Sequence, residues 1–125
     1  MLIHLRKYIH KWKMGILEGH DYKCFLSGYN QYLEVHHVNK QFSDILDEIM
    51  QLNYNKAKDW GEYSQEELDA IGSKIVSAHK DVLGIPLTKK LHRFFHRIYG
   101  IKNCSEEQFW KFCEDYRNGL LEEDN

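Results

Sequence analysis

Four of the eight histidines in this 125-residue chain form two pairs, and the pairs differ in geometry. His36 and His37 are adjacent in Leu33-Glu34-Val35-His36-His37-Val38. On a strand, successive side chains leave by opposite faces, so one ion does not easily take both. Such a pair suits two jobs, one histidine binding a metal and its neighbour facing away to act separately. His92 and His96 are spaced i, i+4, which on a helix sets their β-carbons about 6 Å apart on one face. Two imidazoles so placed can share one metal at about 2.0–2.1 Å each. Around that helix, Leu87, Leu91, Phe94, Phe95, Ile98 and Tyr99 fill an apolar arc, then come His92 and His96, then Lys89, Arg93, Arg97 and Lys90. The histidines therefore lie on the seam between core and basic surface, where a partly buried metal would meet an anion. The residues between them, Arg93-Phe94-Phe95, contain no Glu to serve as a base, which sets aside the metalloprotease pattern. His79 falls on the apolar stripe of a further helical segment, where a histidine is either a satisfied core group or a ligand. His4, His10 and His20 show no usable spacing and are expected at the surface.

These side chains need elements to aim them. Tyr22 to Ser27 and Tyr32 to Val38 read as the strands of a short hairpin, with Gly28-Tyr29-Asn30-Gln31 as turn residues. Gly84 and Pro86 break the chain before a helix at about 88–99, which Gly100 ends. Residues 2–14 read as a helix whose stripe Leu2, Leu5, Ile9, Trp12 and Ile16 opposes Arg6, His10 and Lys13, packed on the domain core rather than on a membrane surface. Phe42, Ile45, Leu46 and Ile49 mark a helix at 42–52, followed by a polar connection from Asn53 to Tyr63. Ser64 with Glu67 makes a capping box before the stripe Leu68, Ile71, Ile75 and Ala78. Ser105 with Gln108 caps a last helix, to about 118, carrying Phe109, Phe112, Cys113 and Tyr116. The class is α+β, mostly helical.

Composition narrows the setting. A chain of this length makes one domain, which buries roughly two-thirds of the surface its unfolded form exposes. One Pro, eight Gly and no Ser- or Pro-rich stretch leave no linker. No run of about 18 apolar residues spans a membrane, and the N-terminus lacks a signal-peptide core. Three cysteines (Cys24, Cys104, Cys113) without C-x-x-C argue against a disulfide framework or zinc knuckle and for a reducing cytoplasm. The net charge of -2 hides an uneven distribution: residues 1–14 and 89–102 carry cations and no acid, whereas residues 43–69 hold eight acids against two lysines. A pI near 6.4 lacks the easy sign of a nucleic-acid binder, but two basic segments on one face would make a local positive patch.

A strand ending in His-His and a later helix carrying His-x-x-x-His resembles the HNH, or ββα-metal, endonucleases. The likeness runs from Tyr22 to about Tyr99 within a single domain, 1–125. Cys24-Phe25-Leu26-Ser27-Gly28, Leu33-Glu34-Val35-His36-His37-Val38 and Leu87-Thr88-Lys89-Lys90-Leu91-His92-Arg93-Phe94-Phe95-His96 look most like the small HNH proteins of phages and mobile elements. Arg97-Ile98-Tyr99-Gly100 and Glu107-Gln108-Phe109 continue it. The resemblance implies that His36, His92 and His96 hold one divalent metal (Mg, Mn, Zn or Ni) and that His37 is the general base. It also implies cuts that leave 5′-phosphate and 3′-hydroxyl ends. The family's middle residue braces the base; no Asn stands at its distance before His92, so His79 is the first candidate and Asp81 the alternative. Paired C-x-x-C knuckles of many relatives are missing, since Ser27, Thr88 and Leu91 stand at those places, so no structural zinc is expected. The long helical stretch between the motif halves has no assigned role.

The chemistry suits these residue types. Phosphodiester cleavage needs an activated nucleophile and charge stabilisation at phosphorus and the leaving oxygen. A neutral His accepts a proton near pH 7, and Lys89, Lys90, Arg93 and Arg97 are the residues to hold flanking phosphates. The expected partner is DNA, with RNA second, no membrane, and a second copy of the chain or a phage protein as macromolecular partner in the host cytoplasm. A non-catalytic nucleic-acid-binding module with a structural metal, and a helical interaction protein with incidental histidines, are the competing classes. Only the catalytic one needs a free base beside a ligand.

Overall fold

The strand that ends in His36 and His37 finds its partner far downstream. The computed structural model describes residues 5–53, 60–101 and 104–121. Strand β1, Leu33–His37, pairs antiparallel with β2, Gly84–Thr88, and Leu33 lies opposite Thr88, His36 opposite Ile85 and His37 opposite Gly84. The expected antiparallel pair is therefore present with a different second strand. Tyr22 to Ser27 is instead a series of turns: Asp21 and Tyr22 take positive φ of 54° and 55°, and the Gly28 N–H closes back onto the Cys24 carbonyl at 2.9 Å. Those conformations curl the chain and forbid an extended strand. The segment still touches the sheet, because the Phe25 N–H donates to the Pro86 carbonyl at 2.9 Å. Pro86, read as a breaker, lies inside β2. Both strands of a two-stranded sheet are edges, where a residue without an N–H costs little.

Among the described residues five helices surround this ribbon. A 3-10 turn at Lys7–Ile9 leads into α1, His10–Gly19, which extends five residues past the expected end; its first expected residues lie outside the described ones. Helix α2, Phe42–Asn53, and α3, Gln65–Ala78, fill the connection between the strands. A 3-10 turn, His79–Asp81, returns the chain to β2, and α4, Lys89–Tyr99, follows at once. Thr88 caps it by accepting from the Leu91 N–H. Helix α5, Glu106–Arg117, closes the fold. Both expected capping boxes form, Ser64 with Glu67 and Ser105 with Gln108, which is why α3 and α5 start where the sequence says they start. Among the described residues no helix is long and apolar enough to cross a membrane.

Strand alternation splits the interior into two cores. On one face Ile85 and Leu87 join Leu91, Phe94 and Phe95 of α4 and Phe109 and Phe112 of α5. Cys24, Cys104 and Cys113 sit buried in this core as thiols, outside any disulfide. On the other side Ile9, Phe42, Ile45, Ile71 and Ile75 tie the N-terminal turn to α2 and α3. Each such side chain contributes about 1.5–3 kcal/mol on burial, so the ribbon is clamped from both sides. Gly84 makes the second clamp fit: a β-carbon there would lie 2.8 Å from the Trp12 indole. Trp12 of α1 thereby packs against the sheet at Gly84, beside His37. The period of two also places Glu34 and His36 toward α4, and Val35 and His37 toward α1 and α3.

Candidate metal centre and its neighbours

His36, fully buried, stands between aromatic walls and two other histidines. Its ring stacks on Phe109 at 5.0 Å, meets Phe95 edge-on at 4.5 Å, and lies 5.2 Å from both His92 and His96. One ligand atom from each of the three histidines falls within 4.8 Å of the others. His92 Nδ1 donates to Glu34 Oε1 at 3.0 Å, and His96 Nδ1 donates to the Gly100 carbonyl at 2.7 Å. Each partner is an acceptor, so both Nδ1 atoms carry a proton, and with both rings neutral both Nε2 atoms present lone pairs. Yet those two Nε2 atoms face each other at 3.1 Å. Two lone pairs so placed repel unless a proton or a cation lies between them. Two imidazoles on one tetrahedral ion with bonds of about 2.0–2.1 Å would have their nitrogens about 3.3 Å apart.

His36 states the same need more sharply. Both its ring nitrogens are buried without a partner, and no other buried side-chain polar atom among the described residues is so left. Burial, and then His92, His96 and His37, push its pKa down to about 2. It is a neutral imidazole, the form in which a histidine binds a metal. Glu34 is held below the usual carboxylate range chiefly by the hydrogen bond from His92. A carboxylate and a backbone carbonyl behind two ligand histidines fix their tautomers and raise their basicity, as in known metal sites. The residues fit a divalent ion.

His37, one residue on, has a different environment. Its Nε2 meets His79 Nε2 at 2.9 Å, and His79 Nδ1 donates to the Ile75 carbonyl at 2.7 Å. The carbonyl fixes the proton on His79 Nδ1, which leaves His79 Nε2 as acceptor and makes His37 Nε2 the donor. The free lone pair of His37 is then on Nδ1. Trp12 packs on both rings at 4.8 and 4.9 Å, and Phe42 closes the far side. Burial, then His79, Arg6 and Lys13, push the His37 pKa to about 2, and burial depresses His79 as well. The expected basic residues also converge. Lys89, Lys90, Arg93 and Arg97 line one groove of about 710 Å³ together with Tyr29, Gln31, Tyr32 and Thr88.

The sequence-derived candidates therefore separate cleanly. The structure brings His36, His92 and His96 together, sets His37 against His79, and aligns the four cations in one groove. Asp81 is exposed and its backbone carbonyl accepts from Asn39 Nδ2 at 3.0 Å, so of the two brace candidates His79 is the one in contact with His37. His10 is exposed and His20 half-buried, while His4 lies outside the described residues. Sequence reasoning missed Glu34, although strand alternation two residues before His36 signals it. It also missed Trp12, Arg6, Tyr29 and Tyr32, for which no local spacing signals proximity. Arg6 and Lys13 are not a purely solvated face: both are partly buried, and Arg6 stacks over Phe42 at 4.4 Å. Comparison of the chain with protein-family models, curated proteins and solved structures finds no match.

Proposed function

We propose that the chain is a metal-dependent endonuclease that hydrolyses phosphodiester bonds in DNA. The observation that carries this reading is the pair of unpartnered His36 nitrogens beside two histidines whose Nε2 atoms approach to 3.1 Å, one residue from a separately braced histidine. The resemblance to the HNH endonucleases supports it independently of the geometry. A divalent ion on His36, His92 and His96 would supply charge stabilisation at the scissile phosphate and the leaving oxygen.

The chain's own residues do the rest. His37 accepts a proton from water at Nδ1, and His79 holds its ring and receives hydrogen-bond density from Nε2–H throughout. The imidazolium so formed keeps its Nε2–H on His79. A buried imidazole of low basicity gains proton affinity when an anion arrives, so the phosphate of the substrate itself readies the base. Glu34 and the Gly100 carbonyl orient His92 and His96. Lys89, Lys90, Arg93 and Arg97 hold flanking phosphates and fix the strand's register.

One observation favours a second reading, a non-catalytic nucleic-acid-binding module with a structural metal. His37 is only 5% exposed, and one of its nitrogens is already committed. Incubating supercoiled plasmid with the protein and Mg, Mn, Ni or Zn, with and without chelator, separates the two. Wild type nicks only with metal, and a folded His37→Ala variant loses about 10²–10⁴-fold in rate. Equal nicking by the two proteins overturns the assigned mechanism, and absence of nicking with every metal transfers the case to the binding module.

A further inference from the structure

Beside the histidine cluster lies the groove between the β1 entry loop and α4. Four of its lining residues are basic, Lys89, Lys90, Arg93 and Arg97, and among the described residues no acid lines it. Two tyrosines, Tyr29 and Tyr32, line it with them. Tyr29 is 51% exposed, and its hydroxyl reaches Gln31 Oε1 at 3.5 Å. Tyr32 is 76% exposed, the most open large apolar side chain among the described residues. Tyr32 also holds φ at +55°, in the left-handed region that a bulky L residue rarely adopts. Its carbonyl accepts the Lys89 N–H at 2.7 Å, which fixes it to the start of α4. The structure thus holds a strained residue in place and leaves its ring in water, where packing gains nothing from it. Backbone strain of that kind clusters at binding and active sites, and unlike Tyr22, which shares the positive φ, Tyr32 lines the basic groove.

We propose that this groove binds an unpaired stretch of the DNA strand, with bases stacked on Tyr29 and Tyr32 and phosphates held by Lys89, Lys90, Arg93 and Arg97. The inference rests on the nuclease reading for its choice of DNA, and names the substrate form that the same site receives. In a duplex the base faces are covered by their neighbours, so tyrosine rings have nothing to stack on. In an unpaired strand every base offers a π-face. The four cations span Lys89 to Arg97, about 12 Å of helix. The N-terminus of α4 adds partial positive charge at the Tyr32 end. Lys89 and Arg93 of the groove are close enough to Glu34, which accepts from His92, to draw its carboxyl down. A strand lying in the groove is thereby led toward the histidine cluster.

Binding of a labelled oligothymidylate and of a matched duplex, read by fluorescence anisotropy in chelator so that nothing is cut, tests this directly. Wild type binds the single strand more tightly than the duplex. Tyr32→Ala weakens single-strand binding by about 5- to 150-fold, as loss of one stacking platform does, and leaves duplex binding unchanged. Tyr32→Phe, which keeps the ring, binds like wild type, and Arg93→Ala weakens both substrates. Duplex binding as tight as single-strand binding, insensitivity to Tyr32→Ala, or displacement of the oligonucleotide by an equal charge of poly-glutamate each overturns the proposal. A protein that binds the single strand in this way but nicks nothing with metal keeps the groove and loses the nuclease reading. One that nicks with metal but ignores Tyr32 does the reverse.

Discussion

The two neighbouring histidines at the end of β1 have the same side chain and opposite circumstances. His36 faces α4 and α5 with both nitrogens buried and unbonded. His37 faces α1 and α3 with one nitrogen bonded to His79, which is bonded in turn to Ile75. Both are neutral, because burial opposes charge on each. What differs is hydrogen-bond satisfaction. A buried polar atom without a partner costs about 1–3 kcal/mol, and a protein keeps that cost where something else supplies the partner. One face of the strand therefore holds buried nitrogens that a cation could partner, whereas on the other a partner for His37 comes from within the chain.

The largest expected effect separates the two faces by what each does for turnover. His92→Ala and His37→Ala should both depress nicking by about 10²-fold or more, for different reasons. Excess metal should partly restore the first and leave the second unchanged. Rescue of His37→Ala by metal would place His37 among the ligands and erase the distinction.

Acid should reveal the feature that both faces share. The folded pKa values of His36 and His37 lie near 2, below an unfolded value near 6.5. Between those limits the unfolded chain takes up protons that the folded chain refuses, so stability is full above about pH 6.5 and falls as pH drops. Each histidine contributes a slope of about 1.4 kcal/mol per pH unit. Urea melts of metal-free protein at pH 7.5 and 5.5 measure it, and replacing either histidine with Phe should remove one share. A flat profile would mean that neither ring is held neutral by burial.

Metal should stabilise through one face only. A ligand at about 100 times its Kd adds about 2.7 kcal/mol to the native state. Zn or Ni should raise the Tm of wild type and of His79→Ala, and should leave His36→Ala and His96→Ala where they were. A Tm gain that survives His36→Ala, or that vanishes with His79→Ala, would assign the ion to the wrong side of the strand.

Much of this division was legible in the sequence. The i, i+4 spacing of His92 and His96 and the alternation of His36 and His37 are local rules, and local rules survive folding. So did the stripe Phe42, Ile45, Leu46 and Ile49 and the two capping boxes, because propensity and burial agree there. What failed was pairing across distance. Nothing in Tyr22 to Ser27 says that its turns will close locally, and nothing in Ile85-Pro86-Leu87 names Val35 as a partner. Pro86 reads as a break before the helix at 88–99, yet its missing N–H excludes it only from a central strand, and β2 is an edge. The brace was equally hidden: His79 and Trp12 reach His37 only after α1 and α3 pack on the sheet around Gly84. The tautomers, on which the case for a cation rests, needed Glu34 and the Gly100 carbonyl in place.

The smallest expected effect is the most discriminating, because it changes sign across the strand. In metal-free protein His36→Phe removes two unpartnered nitrogens from an aromatic cage of Phe95 and Phe109 and leaves no donor or acceptor behind. Removing such atoms is neutral or stabilising, by up to about 1–3 kcal/mol less any strain from the larger ring. His37→Phe is the opposite case. It deprives buried His79 Nε2 of its donor beside Trp12 and Phe42, and costs about 1–3 kcal/mol. Chemical denaturation of the two variants beside wild type, in chelator, gives both numbers. Equal losses would show that His36 is bonded in solution as well as His37 is, and the argument for a cation would then fall back on the 3.1 Å approach of His92 and His96 alone.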